Sequence, residues 1–572
     1  MYLQRDKSKG KKDKIYSSTL LCHKYRDGGM PKTKVLANLS HLPENIILSI
    51  ENILKRSEDT LIHLGEIVVK AAIDYGLVFL LIHLMQKLRI SEVLHKVLPE
   101  HASNLELLII GKIVTRGSKL GIYNWIKRQP EIAKRLNIDV SNLKVKDLYY
   151  SLGRLSDNRK AILKKWFLYH KSRTKDIYLY DITSTYFEGT QNVLSAFGYN
   201  RDGKKGKLQI CIGLITDQEG FPLKIEVFEG NTLDQKTVIS QLMELKKSFK
   251  AENIILVGDR GMKIRYNLDQ LEEAEREGIQ YITGLEHSEI ETLIKNDIIQ
   301  LSLFSKDLAE INHDGQRYIL SINPDLQIRE LYFLRNRKSE LEKLIGEIQS
   351  SWKKRHTINL ANIEKLKNGD KNKKLVTSFS EKKIDNYKFR VEFLCRKYKM
   401  TKLYEFVITN DEFAIMYKAD QYLIKEQLAG KYVLNSTVEK EKLDKIEIRE
   451  KYKLLQKVEH AFRDFKSDNI QVRPVFHRNE AQTRGHVLCS MFSYAIIQSM
   501  ESKIFPWLKK NNKSRKEQLA FDDILEELKD IKLCKLNIGM GCEAIKITEL
   551  NPMQKETLKL FGMKKIDIEK VL

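Results

Sequence analysis

The apolar residues of this chain change their period once, and the change divides the molecule. Before His170 they recur three and four apart, as in Ile46, Ile47, Ile50, Ile53, Leu54 and again in Leu105, Leu108, Ile109, Ile113, the spacing that turns one helix face toward a core. From Asp176 the interval is two. Leu208, Ile210, Ile212 and Leu214 alternate with other residues, and Gly203, Gly206 and Gly220 punctuate the segment, which reads as strands joined by turns. The pattern predicts a first strand ending at Asp181, a second around 208–214, a third from Pro222 to Phe228, a fourth from Asn253 to Gly258 and a fifth from Tyr281 to Gly284. An amphipathic helix from Asp234 to Phe249 follows the third strand, and another helix separates the fourth from the fifth. Three strands, helix, strand, helix, strand is an antiparallel meander running into α/β crossovers.

A chain of 572 residues is longer than one core sustains, and 42% apolar residues are ample for several. We expect a basic β-type segment over 1–42, a helical, DNA-binding domain over 43–172, and the first part of an α/β core over 173–300. An inserted α+β subdomain follows over 301–440, with a helix through Leu334, Leu341, Leu344, Ile348 and Trp352, a lysine-rich turn from Lys365 to Lys374, and a strand through Tyr387, Phe389, Val391 and Phe393. Residues 441–505 complete the core, and 506–572 form a helical tail. No repeat of 20 to 50 residues recurs.

One hundred Lys and Arg oppose 76 Asp and Glu, a net charge of +24 that favours a polyanion, nucleic acid before an acidic membrane surface. No apolar run reaches the roughly 20 residues of a membrane helix. No signal-peptide run follows the N-terminal lysines. The six cysteines have no CxxC spacing, which points to a reducing cytoplasm and away from a zinc site or a disulfide framework.

Three carboxylates stand out against this basic background. Asp181 closes Ile177-Tyr178-Leu179-Tyr180-Asp181, Asp259 closes Ile254-Ile255-Leu256-Val257-Gly258-Asp259, and Glu459 rides the helical segment from Tyr452. Acids gathered at a sheet edge repel one another unless a cation lies between them, and hard oxygen donors suit Mg²⁺ or Mn²⁺. Two such ions about 3.5–4 Å apart can activate water and stabilise a phosphodiester transition state. Tyr452, Glu459 and Lys466 are spaced by seven, and seven residues turn about 700°, so one helix would carry all three on nearly one face, with Arg463 close by.

The run Tyr452-x2-Leu455-x3-Glu459-x6-Lys466 resembles the Y-x2-R-x3-E-x6-K signature of bacterial insertion-sequence transposases of the DDE type. Similar to one branch of that group are Glu459-His460-Ala461-Phe462-Arg463-Asp464-Phe465-Lys466-Ser467 with Val472-Arg473-Pro474-Val475, Asp181-Ile182-Thr183-Ser184-Thr185-Tyr186-Phe187-Glu188-Gly189, and Gly258-Asp259-Arg260-Gly261-Met262. The resemblance covers roughly residues 176 to 500. It implies an RNase H-like core, a mixed sheet flanked by helices, with an insertion in the long gap between Asp259 and Glu459. It implies that Asp181, Asp259 and Glu459 bind two divalent ions, and that the protein cuts the terminal inverted repeats of its element and joins them to target DNA. Double-stranded DNA is then the partner, a homodimer the expected state in the complex, and the bacterial cytoplasm and nucleoid the location. Leu455 departs from the signature, which has Arg there.

Tyr452, Arg463, Lys466 and Arg260 are the expected phosphate contacts of the motifs. Arg201, Lys204 and Lys205 join them in Tyr199-Asn200-Arg201-Asp202-Gly203-Lys204-Lys205, a basic hairpin tip that reads equally as a solvated turn. Trp125, Lys127, Arg128 and the stretch from Asn142 to Arg154 could carry a DNA-reading helix. Asp at a strand end is ordinarily a turn or cap residue, and Asp234 reads as a helix N-cap. His460 points about 100° away from Glu459 on a helix and reads as a solvated or packed residue. Thr183, Ser184 and Thr185, with no paired base, read as hydrogen-bonding residues. Competing functions are a nuclease of the same fold that does not join ends and a non-catalytic DNA-binding descendant. A haloacid dehalogenase-like phosphatase is set aside, because Thr183 stands where that chemistry needs a second Asp.

Overall fold

The structure, a computed structural model, describes the chain apart from residues 10–14, 56–67, 200, 205, 233, 252, 261–277, 306–307, 370–374, 467–469, 513–517, 538–542 and 565–572. It divides into two compact units, Met1–Leu80 with Leu508–Leu572, and Leu81–Trp507.

In the first unit β1 (Tyr2–Lys9), β2 (Ile15–Asp27) and β3 (Met30–Asn38) form an antiparallel meander. Gly28 and Gly29, at φ +58 and +85, turn the chain between Asp27 and Met30. A two-residue turn of this hand requires positive φ at both positions. Arg5 of β1 bridges Glu44 at 2.6 Å and Glu51 at 2.8 Å on the helix Glu44–Lys55. After it comes β4 (Val68–Asp74), a strand inside the stretch read as helical. Most of its residues are exposed, so no buried face announced it in the sequence.

The second unit begins with helices, among them Pro99–Thr115, Lys119–Lys127, Val145–Asp157 and Arg159–His170. Pro99–Thr115 is buried continuously from Leu105 to Ile113, Glu106 and Lys112 included, so the helix runs through the interior and not along its surface. A Cβ at Gly485 of the long helix Glu480–Asn511 would overlap the carbonyl oxygen of Leu152. The two helices therefore cross backbone to backbone at a point where only glycine fits.

The central sheet has eight strands: β5 (Ile177–Tyr186), β6 (Gln209–Thr216), β7 (Pro222–Glu229), β8 (Ile254–Gly258), β9 (Ile279–Gly284), β10 (Leu308–His313), β11 (Gln316–Ile322) and a last one, Lys431–Ser436. Its spatial order is β10, β11, Lys431–Ser436, β9, β8, β5, β6, β7. β5, β8 and β9 run parallel and their outer neighbours antiparallel, giving the mixed sheet, flanked by helices, that the resemblance implied. β8 is buried at every residue, the condition in which a strand loses alternation and reads as one apolar run.

Three expectations change here. Asp181 does not end its strand. Pairing with β6 continues to Tyr186↔Gln209, so Asp181 lies inside β5. The stretch Tyr387–Phe393 is not a strand but part of the helix Glu381–Lys397. Tyr387, Val391 and Cys395 are its buried residues while Phe389 and Phe393 are exposed, and a spacing of four satisfies both periods until burial decides. The third change concerns the insertion, since β10, β11 and Lys431–Ser436 belong to the sheet.

The insertion that departs from that sheet is residues 323–430, between the last pair of the ladder, Ile322↔Lys431. They hold the 44-residue helix Pro324–Lys367, the helix Glu381–Lys397, a hairpin of β12 (Tyr404–Ile408) and β13 (Phe413–Tyr417), and the helix Ala419–Leu428. Asn323 caps the long helix by accepting from Leu326 N at 3.1 Å, and Pro324 opens it. Leu341, Ile345, Ile348 and Trp352 pack with Tyr387, Val391 and Phe413 into a separate core. The strand Lys431–Ser436 is β14.

Back in the first unit, β15 (Lys532–Asn537) and β16 (Glu543–Ile547) pair with β4 in the order β16, β15, β4. The stretch 506–572, read as a helical tail, thus contributes strands as well as the helices Phe521–Lys529 and Pro552–Leu560. Strand pairing between chain ends leaves no local signature. Among the described residues no helix is long and apolar enough to cross a membrane.

Candidate catalytic centre and its basic surroundings

The parallel ladder between β5 and β8 stops at Tyr180↔Gly258. Asp181 and Asp259 are the next residue on each strand. They stand side by side although one lies within its strand and the other just past it. Each carboxylate folds back onto the following amide: Asp181 Oδ1 accepts from Ile182 N at 2.7 Å, and Asp259 Oδ1 from Arg260 N at 2.7 Å. Glu459 is exposed on the helix Leu455–Lys466, which packs against β5 and β6. Burial pushes the Asp181 carboxyl up to about 7; the Ile182 amide and the Arg201 guanidinium oppose this, and the charges of Asp259 and Glu459 add to it. The three acids therefore share one electrostatic neighbourhood.

Tyr452 does not share a helix with Glu459. The helix Lys445–Lys453 ends and a new one starts at Leu455, and Leu454 bridges them through i to i+3 bonds, Leu454 N to Lys451 O at 3.1 Å and Lys457 N to Leu454 O at 2.8 Å. The phenol of Tyr452 nevertheless reaches the site, donating to Asp259 Oδ1 at 3.4 Å. Burial foremost, then Asp259, pushes that phenol up to about 12. Gly284, ending β9, makes room for it: a Cβ there would stand 2.5 Å from the Tyr452 hydroxyl and 2.8 Å from Arg260 Cγ. Leu455, in the place of the signature's Arg, is buried and offers no phosphate contact.

Lys466 is bound within the protein. Its ammonium donates to Thr183 Oγ1 at 2.8 Å, to Ser184 O at 2.8 Å and to Asp202 Oδ1 at 2.9 Å. Asp202 also bridges Arg473 at 2.7 Å and accepts from Tyr186 N at 3.2 Å. These bonds tie the Glu459 helix to β5. Arg201 donates from its guanidinium to Ile182 O and from its backbone to Ser184 Oγ at 2.9 Å, which sets it beside Asp181. Lys204 is exposed in the same turn, Arg463 is exposed on the Glu459 helix, and Lys205 lies outside the described residues, as do Gly261 and Met262 of the second motif. Sequence reasoning missed Asp202, Arg473 and Gly284. A hydrophobic period is silent about them, although Asp202 and Arg473 lay within motifs already singled out.

His460 turns away from the three acids to Asp464, Nδ1 to Oδ2 at 3.1 Å, and Glu501 completes a group whose donor atoms lie within 4.8 Å of one another. Burial, then Asp464, pushes Glu501 up to about 7. Among the described residues this is the group whose donor atoms come that close together, whereas Asp181, Asp259 and Glu459 are linked by their electrostatic influence on Asp181. The three acids supply oxygen donors only, the kind that suits a hard divalent cation, and the rise at Asp181 comes first from burial and only then from its two acidic neighbours.

Residues 4–61 match the family model described as IS1634 family transposase, N-terminal domain, and residues 172–496 match the Transposase DDE domain. No curated protein matches. Among solved structures the chain is similar to one in the cryo-EM structure of the piggyBac transposase synaptic complex with hairpin DNA, at 9% identity over 80% of this chain and 70% of that chain, with TM-score 0.32. It is also similar to one in the Mos1 transposase paired-end complex with left transposon end, at 14% identity over 28% of this chain and 56% of that chain, with TM-score 0.13.

Proposed function

The chain belongs to the DDE transposases of insertion sequences, since more than half of its length matches their catalytic domain, and from that premise we propose that Asp181, Asp259 and Glu459 are the residues that cut and rejoin DNA. The observation that carries this assignment is the ladder register, Tyr180↔Gly258, which leaves Asp181 and Asp259 as lateral neighbours. In this reading the three carboxylates hold divalent metal, two Mg²⁺ or Mn²⁺ ions, which when bound supply an activated water and charge for the phosphoryl transition state.

The chain's own residues do the positioning. The Ile182 and Arg260 amides fix the two aspartates, Tyr452 steers Asp259, and Lys466 holds the Glu459 helix on β5 by its three protein bonds. Arg201, Arg260, Lys204, Lys205 and Arg463 would neutralise phosphates of the inverted-repeat ends and of the target. Tyr452 would lie within reach of the same strand. One copy at each end, paired as a homodimer, would join both ends to target DNA.

Changing Asp181, Asp259 or Glu459 singly to Ala should abolish end cleavage while a mobility-shift assay still records end binding. Full cleavage by all three variants would overturn the assignment. Supplying pre-cut ends and target DNA then tests joining, and absence of any joined product would leave only the nuclease activity.

A further inference from the structure

A cavity of about 410 Å³ lies between the helices Pro99–Thr115 and Lys119–Lys127 and the segment 471–486. Lys112, Lys119, Arg473, Arg478, His477 and His486 line it, and no Asp or Glu does. Lys112 is 6% exposed, and its ammonium has one long bond, to Gln471 O at 3.4 Å. Lys119 donates to His486 Nδ1 at 2.9 Å, while His486 Nε2 donates to Val472 O at 3.2 Å. Among the described residues neither lysine meets a carboxylate.

Enclosing an ammonium without a counter-charge is among the costliest arrangements in a protein, and here buried Lys112 has half-buried Lys119 beside it on the same wall. Burial pushes Lys112 down to about 8. Lys119 is driven well down by burial and then by Lys112, and His477 falls to about 3 by burial and then by Lys119 and Lys112. Leu or Met would fill the same volume without that cost. The arrangement gains its sense if an anion enters.

We propose that this cavity is an oxyanion site of phosphate chemistry, separate from the three acids, and that its occupant is a backbone phosphate of the bound DNA. The choice of DNA as the source rests on the transposase reading; the phosphate chemistry does not. Lys112 supplies a buried ammonium donor and half-buried Lys119 a second, and Arg478 is the exposed cation of the same lining, open to an incoming strand. Arg473, on the wall, connects the cavity to the catalytic strand: it bridges Asp202 at 2.7 Å, and Asp202 takes Lys466 from the Glu459 helix at 2.9 Å. A phosphate held here would set the position of the strand relative to Glu459.

Two measurements on the full chain test this, neither using cleavage as the readout. Inorganic phosphate should raise the melting temperature of the parent protein and raise it less in Lys112→Met with Lys119→Met. Binding of duplex end DNA should weaken with salt, and the slope of log K against log salt should fall by about 0.9 for each phosphate no longer neutralised in that double variant and in Arg478→Gln. The rim variant alters no buried residue and guards against misfolding. If phosphate stabilises the parent but both slopes match it, the occupant is a free anion and the DNA assignment is overturned. If neither melting nor slope responds, the oxyanion site itself is overturned. Either result leaves the cleavage test of Asp181, Asp259 and Glu459 untouched.

Discussion

The buried charge of Asp181 burdens the folded protein. Its folded value of about 7 exceeds the ordinary 3.8, so the folded state holds the proton more tightly than the unfolded chain. Stability from this group is therefore present at low pH, declines between about pH 4 and 7, and stays reduced above. Asp181→Asn removes the charge: with metal chelated, the variant should melt higher than the parent at pH 8, by an amount on the order of 2–4 kcal/mol, and the gap should close toward pH 4. Equal melting at pH 8 would show that the buried charge carries no such cost. If Asp181 is a metal ligand as proposed, Mn²⁺ must displace that proton, and calorimetry should find affinity falling about tenfold per pH unit below 7. Gly284→Ala sets a methyl against the Tyr452 hydroxyl and Arg260. A cost of about 1–3 kcal/mol in thermal melting is expected, with slower cleavage and unchanged end binding. The acids stood out in the sequence because Asp181 and Asp259 each follow an apolar run and Glu459 lies in a helical motif. The partners of Lys466 were not, since Thr183, Ser184 and Asp202 come from distant positions that no period connects.

At the level of elements, legibility followed burial. β8, apolar throughout, was read from Asn253 to Gly258, and the order of its neighbouring strands followed; the helix read between it and β9 lies outside the described residues. Asp181 was set at a strand end because a charged residue interrupts the apolar run, although the ladder with β6 continues beneath it. Tyr387–Phe393 failed because its alternation also fits a helix, and β4 failed because its partner β15 lies at the far end of the chain. The excursion 323–430 leaves and rejoins adjacent antiparallel strands at Ile322↔Lys431, so in architecture it is the loop of a hairpin. Replacing 323–430 by a short Asn-Gly turn should therefore leave a folded, cooperative protein, measured by circular dichroism and melting; unfolding would show that the excursion supports the sheet. Within the excursion, Trp352 is 4% exposed and stacks on Phe379. Trp352→Ala should cost that core about 3–5 kcal/mol, seen as early proteolysis within 323–430.

For the whole molecule the net charge of +24 predicts strongly salt-dependent association with DNA, with a slope of about −0.9 per neutralised phosphate. A flat response in a salt titration would separate that charge from DNA binding. The charge was legible from composition alone, but not its sorting into a cavity without carboxylates, which depends on helices from opposite ends of the second unit. The ladder that stops at Tyr180↔Gly258 has one further effect. Adjacent strands in any sheet lie about 4.8 Å apart, a distance set by backbone hydrogen bonds and not by side chains. That interval is imposed on Tyr180 and Gly258, the residues just before Asp181 and Asp259, so surrounding loops can lengthen, shorten or change charge while the two points from which the carboxylates depart keep their spacing.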